Sequence, residues 1–281
     1  ADFVLPPLRK RVKTIVTIHD LSFVRLPETT MPGMSQHLNS WVPRSVHKAD
    51  HIIAVSEATR QDLVELYQTP PEKISVIYHG VTPNFKPITS PEALAAVRKK
   101  YGLGDTPFLL SVGTIQPRKN YQRLIEVLAQ IDQPIDLAII GGNGWSNEAV
   151  FNEVARQNLE NRVHFLGFVD DADLPTLYSA ATLFIYPSLY EGFGMPLLEA
   201  MACGLPIISS NRSAMPEVVG AAGLLVDPYD TAGMVTAITK LLEDSSQRHY
   251  LAEAGKARVA EFTWGHMATQ LQALYEKVLK E

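Results

Sequence analysis

The chain has 281 residues, of which 46% are hydrophobic and 20% are charged, a balance typical of an ordinary globular protein with one large domain or two. The formal net charge of −5 argues against a surface that coats nucleic acid. The single cysteine, Cys203, excludes an intrachain disulfide and favours a reducing compartment, and no apolar run is long enough for a transmembrane helix. We therefore expect a cytoplasmic protein, with peripheral contact to a membrane left open.

Residues 1–86 are expected to form a small α/β unit. Short apolar runs predict strands at 14–19, 51–56 and 74–78, with helices between them at about 34–48 and 57–67. Ser56 is well placed to cap the second of these helices. The alternation predicts a parallel sheet with right-handed crossovers, although three strands are few for a doubly wound domain.

Turn-forming residues at 79–87 lead into a helix at about 92–101, and we place the boundary between two domains there. The second domain, residues 87–263, has the pattern of a complete parallel sheet whose strands alternate with helices. Strands are expected at 108–112, 136–140, 163–166, 183–186, 207–209 and 223–226. Further helices are expected at about 121–131, 147–158, 174–179, 231–243, 247–261 and 266–280.

The loop at Gly192–Gly194 is the most informative stretch of the sequence. It follows a buried strand and precedes a short helix that has Pro196 in its first turn. Open α/β sheets bind ligands at such loops, and the unpaired helix amides favour anions. Glu191 and Glu199 flank the loop, and carboxylates accept hydrogen bonds from sugar or ribose hydroxyls. The pattern favours a ligand with both phosphates and hydroxyls; the alternative is an ordinary first-turn glutamate and a solvated loop glutamate.

A basic pair follows the first strand of the second domain. Arg118 and Lys119 are expected on the same rim as the glycine loop, where Arg can bind a diphosphate through paired contacts and Lys as a point charge. Taken alone, the pair also fits a solvated turn in which Asn120 caps the next helix. Its position beside an anion-binding loop favours the diphosphate.

Three other features of the sequence are candidate sites. Gly141–Gly144 fails as a dinucleotide fingerprint because Asn147 stands at the third glycine position, so a glycine turn lining a cleft is the better interpretation. The aspartates within 170–173 precede a helix and are assigned to capping its start, so no metal site is predicted. His19 ends the first strand, on the opposite rim, and either faces the cleft or lies at the edge of the core.

Five motifs together resemble glycosyltransferase family 4, and the resemblance covers nearly the whole chain. They are His19–Asp20, residues 80–85, residues 113–120, residues 165–169, and Glu191 with Glu199. The resemblance implies a GT-B fold, in which two Rossmann-like parallel-sheet domains face a cleft. It also implies a retaining transferase that takes a sugar from a nucleotide donor without a metal ion. With threonine at position 114, the sequence resembles a mannosyltransferase-like subgroup of the family.

The resemblance also implies residue roles. Glu199 resembles the ribose-binding glutamate, Glu191 the glutamate that contacts the transferred sugar, and His19 the histidine near that sugar. Arg118 and Lys119 match the diphosphate-binding pair. The implied catalytic residues are Glu191, His19, Lys119 and Arg118. The implied donor-binding residues are Gly113, Thr114, Arg118, Lys119, Gly142, Phe168, Val169, Glu191, Gly192, Phe193, Gly194, Met195, Pro196, Leu197 and Glu199. Residues 168–169 resemble the wall of the nucleobase pocket.

Family members begin with further strands, so by resemblance the first domain is truncated, and the last helix, 264–281, crosses back onto it. An uncovered strand edge or helix face would need another chain, and we expect a homodimer or a separate partner. The expected function is transfer from GDP-mannose or a UDP-sugar to a glycan, lipid or small-molecule acceptor. The alternative is a nucleotide-sugar-binding module that lacks transfer because its acceptor side is incomplete; an epimerase of the same fold is a weaker third interpretation.

Overall fold

The computed structural model describes residues 3–5, 12–31 and 33–280. Strands in this part of the chain form two sheets, one of three strands and one of six. Every pair of neighbouring strands is parallel. This arrangement confirms the α/β class expected from the alternation of strands and helices.

The first sheet has the order β1–β2–β3. In chain order its unit consists of β1 (Ile15–Ile18), α1 (Ser22–Arg25), α2 (Met34–Lys48), β2 (His51–Ala54), α3 (Glu57–Tyr67) and β3 (Ile74–Val76). All of β2 is buried, because the strand is central and covered on both faces. At the start of α3 the Oγ of Ser56 accepts a hydrogen bond from the amide of Thr59 at 3.0 Å, which confirms the predicted N-cap.

The second sheet has the order β6–β5–β4–β7–β8–β9. Its unit consists of α4 (Pro91–Lys100), β4 (Phe108–Val112), α5 (Tyr121–Leu128), β5 (Asp136–Ile140), α6 (Glu148–Arg156), β6 (Val163–Gly167), α7 (Leu174–Ala180), β7 (Leu183–Tyr186), α8 (Met195–Ala202), β8 (Ile207–Ser210), α9 (Met215–Val219), β9 (Gly223–Val226), α10 (Thr231–Glu243) and α11 (Ser245–Val259). The chain leaves β4 through β5 and β6 and then returns to pair β7 with the other side of β4. The carboxyl ends of β4 and β7 therefore border the switch point of the sheet, where α/β proteins bind ligands.

Side chains of the second sheet alternate between two apolar clusters, one on each face. Leu110 and Phe184 belong to one cluster, which also contains Leu197 of α8. Leu109 and Ile185, their neighbours along the same strands, belong to the other. Burial on both faces explains why these strands are continuous apolar runs in the sequence.

The last helix, α12 (Trp264–Lys280), packs on the first sheet. Its residues Leu274 and Val278 share an apolar cluster with Ile53 of β2. Just before this helix, the carbonyl of Phe262 accepts a hydrogen bond at 3.1 Å from the amide of Val81, which lies between the two sheets. Both ends of the second unit are thus joined to the first.

Some element boundaries differ from the sequence prediction. α5 ends at Leu128 rather than at 131, and α6 is shorter than 147–158 at both ends. The sequence predicts neither α1 nor α9, because helices of four and five residues are too short to show a helical period. Within the part of the chain that the structure describes, every helix is too short or too polar to cross a bilayer.

The carboxylates before α7 do not cap it, so the expected capping role is wrong. Asp173 occupies the N-cap position, but its side chain accepts no hydrogen bond from the described amides of the helix. Instead the Nζ of Lys100 donates to Asp170 at 2.7 Å and to Asp173 at 2.5 Å, and the hydroxyl of Tyr101 donates to Asp173 at 2.8 Å. Charge-assisted contacts from α4 are stronger partners for these carboxylates than backbone amides.

Candidate active site

Three loops converge at the switch point of the second sheet. They follow β4, β7 and, from the first sheet, β1, and together with Val55 after β2 and His79 after β3 they border a cleft of about 250 Å³. Asn120 joins the first two loops, because its Nδ2 donates to the carbonyl of Pro187 at 3.2 Å. The cleft is lined by His19, Asp20, Val55, His79, Lys119, Tyr186, Glu191, Gly192, Phe193, Gly194, Met195 and Pro196.

Glu191 holds both members of the basic pair. Arg118 and Lys119 lie in a single 3-10 turn after β4, and Glu191 lies in the loop after β7. The Nη1 of Arg118 is 2.6 Å from Oε2 of Glu191, and the Nζ of Lys119 is 2.8 Å from Oε1. Each carboxylate oxygen therefore pairs with one cation, and the three groups together carry one excess positive charge.

The charges of this group shift its pKa values. Burial raises the pKa of Glu191, but Lys119 and Arg118 outweigh burial and lower it to about 2. Burial lowers the pKa of Lys119, and Arg118 adds to that effect while Glu191 opposes it. Burial also opposes the charge on Arg118, but Glu191 outweighs it and raises the pKa of the guanidinium. Glu191 is thus a carboxylate throughout the range in which the protein would work.

Tyr186, the last residue of β7, gives Lys119 a second fixed partner. The Nζ of Lys119 donates to the hydroxyl of Tyr186 at 2.8 Å and lies 4.7 Å from the centre of its ring. Gly113 makes room for this lysine, because a Cβ there would lie 2.7 Å from the lysine Cε. From the sequence, Tyr186 is predicted only as the end of a buried strand, because nothing in the sequence alone distinguishes it from a core aromatic.

The mouth of α8 opens onto the cleft beside Glu191. Gly194 precedes the helix with a φ of 107°, which favours glycine, and Pro196 lies in the first turn as predicted. Pro196 has no N–H and the amide of Leu197 donates to the carbonyl of Gly194 at 2.9 Å. No described side chain caps the helix start, so the positive end of the helix dipole remains available to an anion. The side chain of Leu197 is buried in the core, which leaves only its backbone near the cleft.

Glu199 is the fifth residue of α8, whereas Glu191 lies in the loop before the helix. Its Oε2 accepts a hydrogen bond from the hydroxyl of Tyr178 at 2.7 Å, and burial raises the pKa of its carboxyl. Glu199 is absent from the described lining of the cleft. The two glutamates that frame the loop in sequence are therefore placed at different points of the site.

Four predicted donor residues form a second group next to the cleft, on the loops after β4, β5 and β6. A Cβ at Gly142 would lie 2.8 Å from the ring of Phe168, and 92% of Phe168 is exposed. Val169 packs against the core beside that ring, and Thr114 is exposed. An exposed aromatic ring over a glycine can stack on a flat ligand group.

The first sheet contributes two histidines to the cleft. The rings of His19 and His79 are stacked with centres 5.8 Å apart, and His79 also meets the edge of Phe193 at 5.3 Å. Burial, aided by His19, lowers the pKa of His79. Gly192 comes so close that a Cβ there would overlap the carbonyl oxygen of His19. His19 is among the site residues predicted from the sequence. His79 is not, because it lies in a turn-rich segment without a metal or triad spacing.

Two family models match the chain. The model described as glycosyl transferases group 1 matches residues 95–258, and the model described as glycosyltransferase family 4 matches residues 2–85. Among curated relatives, O-antigen chain mannosyltransferase B of Escherichia coli is 34% identical over 98% of this chain and 72% of its own length. The serotype-specific mannosyltransferase WbdA of Escherichia coli is 32% identical over 79% of this chain, which spans 28% of that relative.

Solved structures share the fold. A sucrose-phosphate synthase from Thermosynechococcus elongatus superposes with a TM-score of 0.81 at 28% identity and covers 95% of this chain and 68% of its own. Anabaena Alr3699/HepE in complex with UDP and glucose superposes with a TM-score of 0.82 at 25% identity and covers 95% of this chain and 72% of its own. These matches confirm the GT-B fold class that the sequence predicts.

Proposed function

We propose, from the premise that this chain belongs to the glycosyl transferases group 1 family, that it transfers a sugar from a nucleotide diphosphate donor to an acceptor hydroxyl with retained configuration. One observation carries the proposal. Arg118 and Lys119 converge on Glu191 beside the amino end of α8, so two cations, a carboxylate and the positive end of the helix dipole meet at one point.

The site offers a separate partner to each part of such a donor. The diphosphate meets Arg118, Lys119 and the positive end of the α8 dipole. Glu191, fixed between the two cations, accepts hydrogen bonds from hydroxyls of the transferred sugar. Glu199 accepts from the ribose, and Phe168 stacks on the nucleobase. This assignment follows the family resemblance and stands on the geometry of the loops after β4, β6 and β7.

The chemical step breaks the bond between the anomeric carbon and the diphosphate oxygen. The leaving diphosphate takes the bonding electrons, and Arg118, Lys119 and the dipole of α8 stabilise the charge that develops on it. The acceptor oxygen attacks from the face that the diphosphate leaves, which retains the configuration, and its proton passes to a diphosphate oxygen. Because the chain's own cations stabilise the leaving group, we propose transfer without a metal ion. Glu191 serves as a sugar contact rather than a nucleophile.

We propose GDP-mannose as the first donor to test. The support is the identity of 34% with O-antigen chain mannosyltransferase B and of 32% with WbdA, both named as mannosyltransferases. A UDP-sugar is the second candidate, supported by the fold shared with HepE, which was solved with UDP and glucose. The acceptor is a glycan, a lipid-linked saccharide or a small molecule.

The test combines binding and transfer. We expect GDP-mannose or a UDP-sugar, among GDP-, UDP- and ADP-sugars, to bind in calorimetry and to release its nucleoside diphosphate when mannose-containing glycan acceptors are added. The product's anomeric coupling constant in NMR reports whether configuration is retained. Binding of a donor without transfer or hydrolysis, across all acceptor classes, would contradict the proposal and support a nucleotide-sugar-binding module instead.

A further inference from the structure

A hydrogen bond joins the loop of the candidate active site to the first sheet's unit. The hydroxyl of Tyr190, in the loop after β7, donates to Oδ2 of Asp62 on α3. Each residue is only 7% exposed. Burial, together with the charge of Asp62, raises the pKa of Tyr190, so its hydroxyl keeps the proton that it donates. The contact is therefore a buried, charge-assisted bond between the two units.

Asp62 is held in place from its own side. The Nε of Arg25 donates to Oδ1 of Asp62 at 2.7 Å, and the same guanidinium also pairs with Glu65. One carboxylate oxygen thus binds Arg25 while the other accepts from Tyr190. An anchored carboxylate of this kind fixes the direction of the hydrogen bond that it accepts.

The other side of Tyr190 belongs to the active-site cations. Its carbonyl accepts a hydrogen bond from Nη1 of Arg118 at 2.6 Å, and the next residue, Glu191, pairs with both Arg118 and Lys119. One residue of the loop therefore carries a bond to the diphosphate-binding pair on its backbone and a bond to the first unit on its side chain. A shift of either unit acts on the same peptide.

We propose that Tyr190 and Asp62 form a positioning pair that fixes the loop carrying Glu191 relative to the first sheet's unit. The inference rests on the proposed function and deepens it: the pair sets where the transferred sugar lies with respect to the lobe that faces it. Neither residue is among those that line the cleft. Their role is to hold the Tyr190–Glu191 peptide, and through it Arg118, in the geometry that transfer needs.

The kinetic test uses substitutions that keep size. Tyr190→Phe removes only the hydroxyl, and Asp62→Asn removes the charge that strengthens the bond. Loss of a hydrogen bond to a charged group predicts a kcat reduced by about tenfold in either variant. The affinity for the nucleoside diphosphate should change by less than about threefold, because Arg118 and Lys119 lie on the second unit and keep their contact with Glu191. The kcat of the double variant should be no lower than that of the less active single variant, since all three variants lose or weaken the same bond.

The matched control is Tyr250→Phe, which removes a hydroxyl from a tyrosine that is 65% exposed. It should leave kcat and affinity at wild-type values. If Tyr190→Phe also keeps the wild-type kcat, or if the effects of the two pair variants simply add, the positioning role is wrong and the contact serves stability alone.

A second readout does not depend on transfer. Hydrogen exchange of the amides at 189–194 should be faster in Tyr190→Phe and Asp62→Asn than in the wild type and in Tyr250→Phe, because the loop loses the buried, charge-assisted one of its bonds to α3 and keeps only that from Thr59 to the carbonyl of Gly192 at 3.4 Å. Unchanged exchange in both pair variants would overturn the inference. If the wild-type protein transfers no sugar at all, the proposed function fails, and the exchange experiment still decides whether the pair holds the loop.

Discussion

The carboxylate of Glu191 lies 2.8 Å from the ammonium of Lys119 at Oε1 and 2.6 Å from the guanidinium of Arg118 at Oε2. Glu191 therefore forms ion pairs with the two cations that, in the proposed function, bind the donor diphosphate. A diphosphate that binds there competes with this carboxylate for Arg118 and Lys119. The same glutamate then affects donor binding and sugar positioning in opposite directions.

Glu191→Gln should separate these two effects. Glu191 partly neutralises the positive charge of Arg118 and Lys119, and the amide of glutamine does not. GDP or UDP should therefore bind about threefold to tenfold more tightly to the variant in calorimetry. Transfer should fall by about 100-fold, because the amide is a poorer acceptor for the sugar hydroxyls and no longer fixes both cations. Glu160→Gln, at an exposed position, is the control. Weaker nucleotide binding in Glu191→Gln would contradict the competition.

The lowered pKa of Glu191 predicts how its stabilising effect depends on pH. Its pKa falls from 4.5 to about 2 on folding, so the folded state binds this proton less readily than the unfolded state. The contribution is fully present above the unfolded value and is lost as the pH falls from about 4.5 towards 2. The free energy of unfolding of the wild type, measured in urea, should exceed that of Glu191→Gln at about pH 6 and approach it at about pH 3. A difference that is constant across that range would contradict the ion-pair assignment.

Lys119→Ala should abolish most transfer without unfolding the chain. Removal of one preorganised group that stabilises developing charge typically lowers kcat by about 100-fold to 1000-fold. Lys99→Ala removes a lysine from an exposed position of α4 and should have the wild-type rate. Circular dichroism checks that both variants are folded. A wild-type rate in Lys119→Ala would refute the role of this lysine.

Gly192→Ala tests the close approach of the two units. The added Cβ would overlap the carbonyl oxygen of His19, so the loop after β7 and the end of β1 must move apart. We expect a lower melting temperature and a transfer rate reduced by at least about tenfold, because the cleft loses its geometry. Gly104→Ala is the matched control, since a Cβ there meets nothing within 4 Å. Equal behaviour of the two variants would show that the units do not touch at Gly192 in solution.

The order of elements could be predicted from the sequence because both sheets are parallel and buried. Strands such as β4 and β7 are covered on both faces, so they are continuous apolar runs with helices between them. The short helices α1 and α9 could not be predicted, because they lack a helical period. The partners of Asp170 and Asp173 were also missed, since Lys100 is distant in sequence and competes with the local cap.

The site could be predicted in its position but not in its internal contacts. A strand end, a glycine loop and a helix start place Glu191, Arg118 and Lys119 on one rim. The sequence does not show that the carboxylate of Glu191 pairs with both cations, because Glu191 lies 72 positions from Lys119. In the sequence, Tyr186 and Tyr190 cannot be distinguished from core aromatic residues. Only the partners of their hydroxyls, Lys119 and Asp62, show that they position residues of the site.

The central claim is that Arg118 and Lys119 hold the diphosphate of a nucleotide donor. Calorimetric titration of GDP and of UDP into the wild type and into the double variant Arg118→Ala, Lys119→Ala tests it most directly. We predict that at least one nucleotide binds the wild type and that its affinity falls by about 100-fold or more in the double variant, with Lys99→Ala unchanged. Equal affinity in the wild type and the double variant would contradict the account.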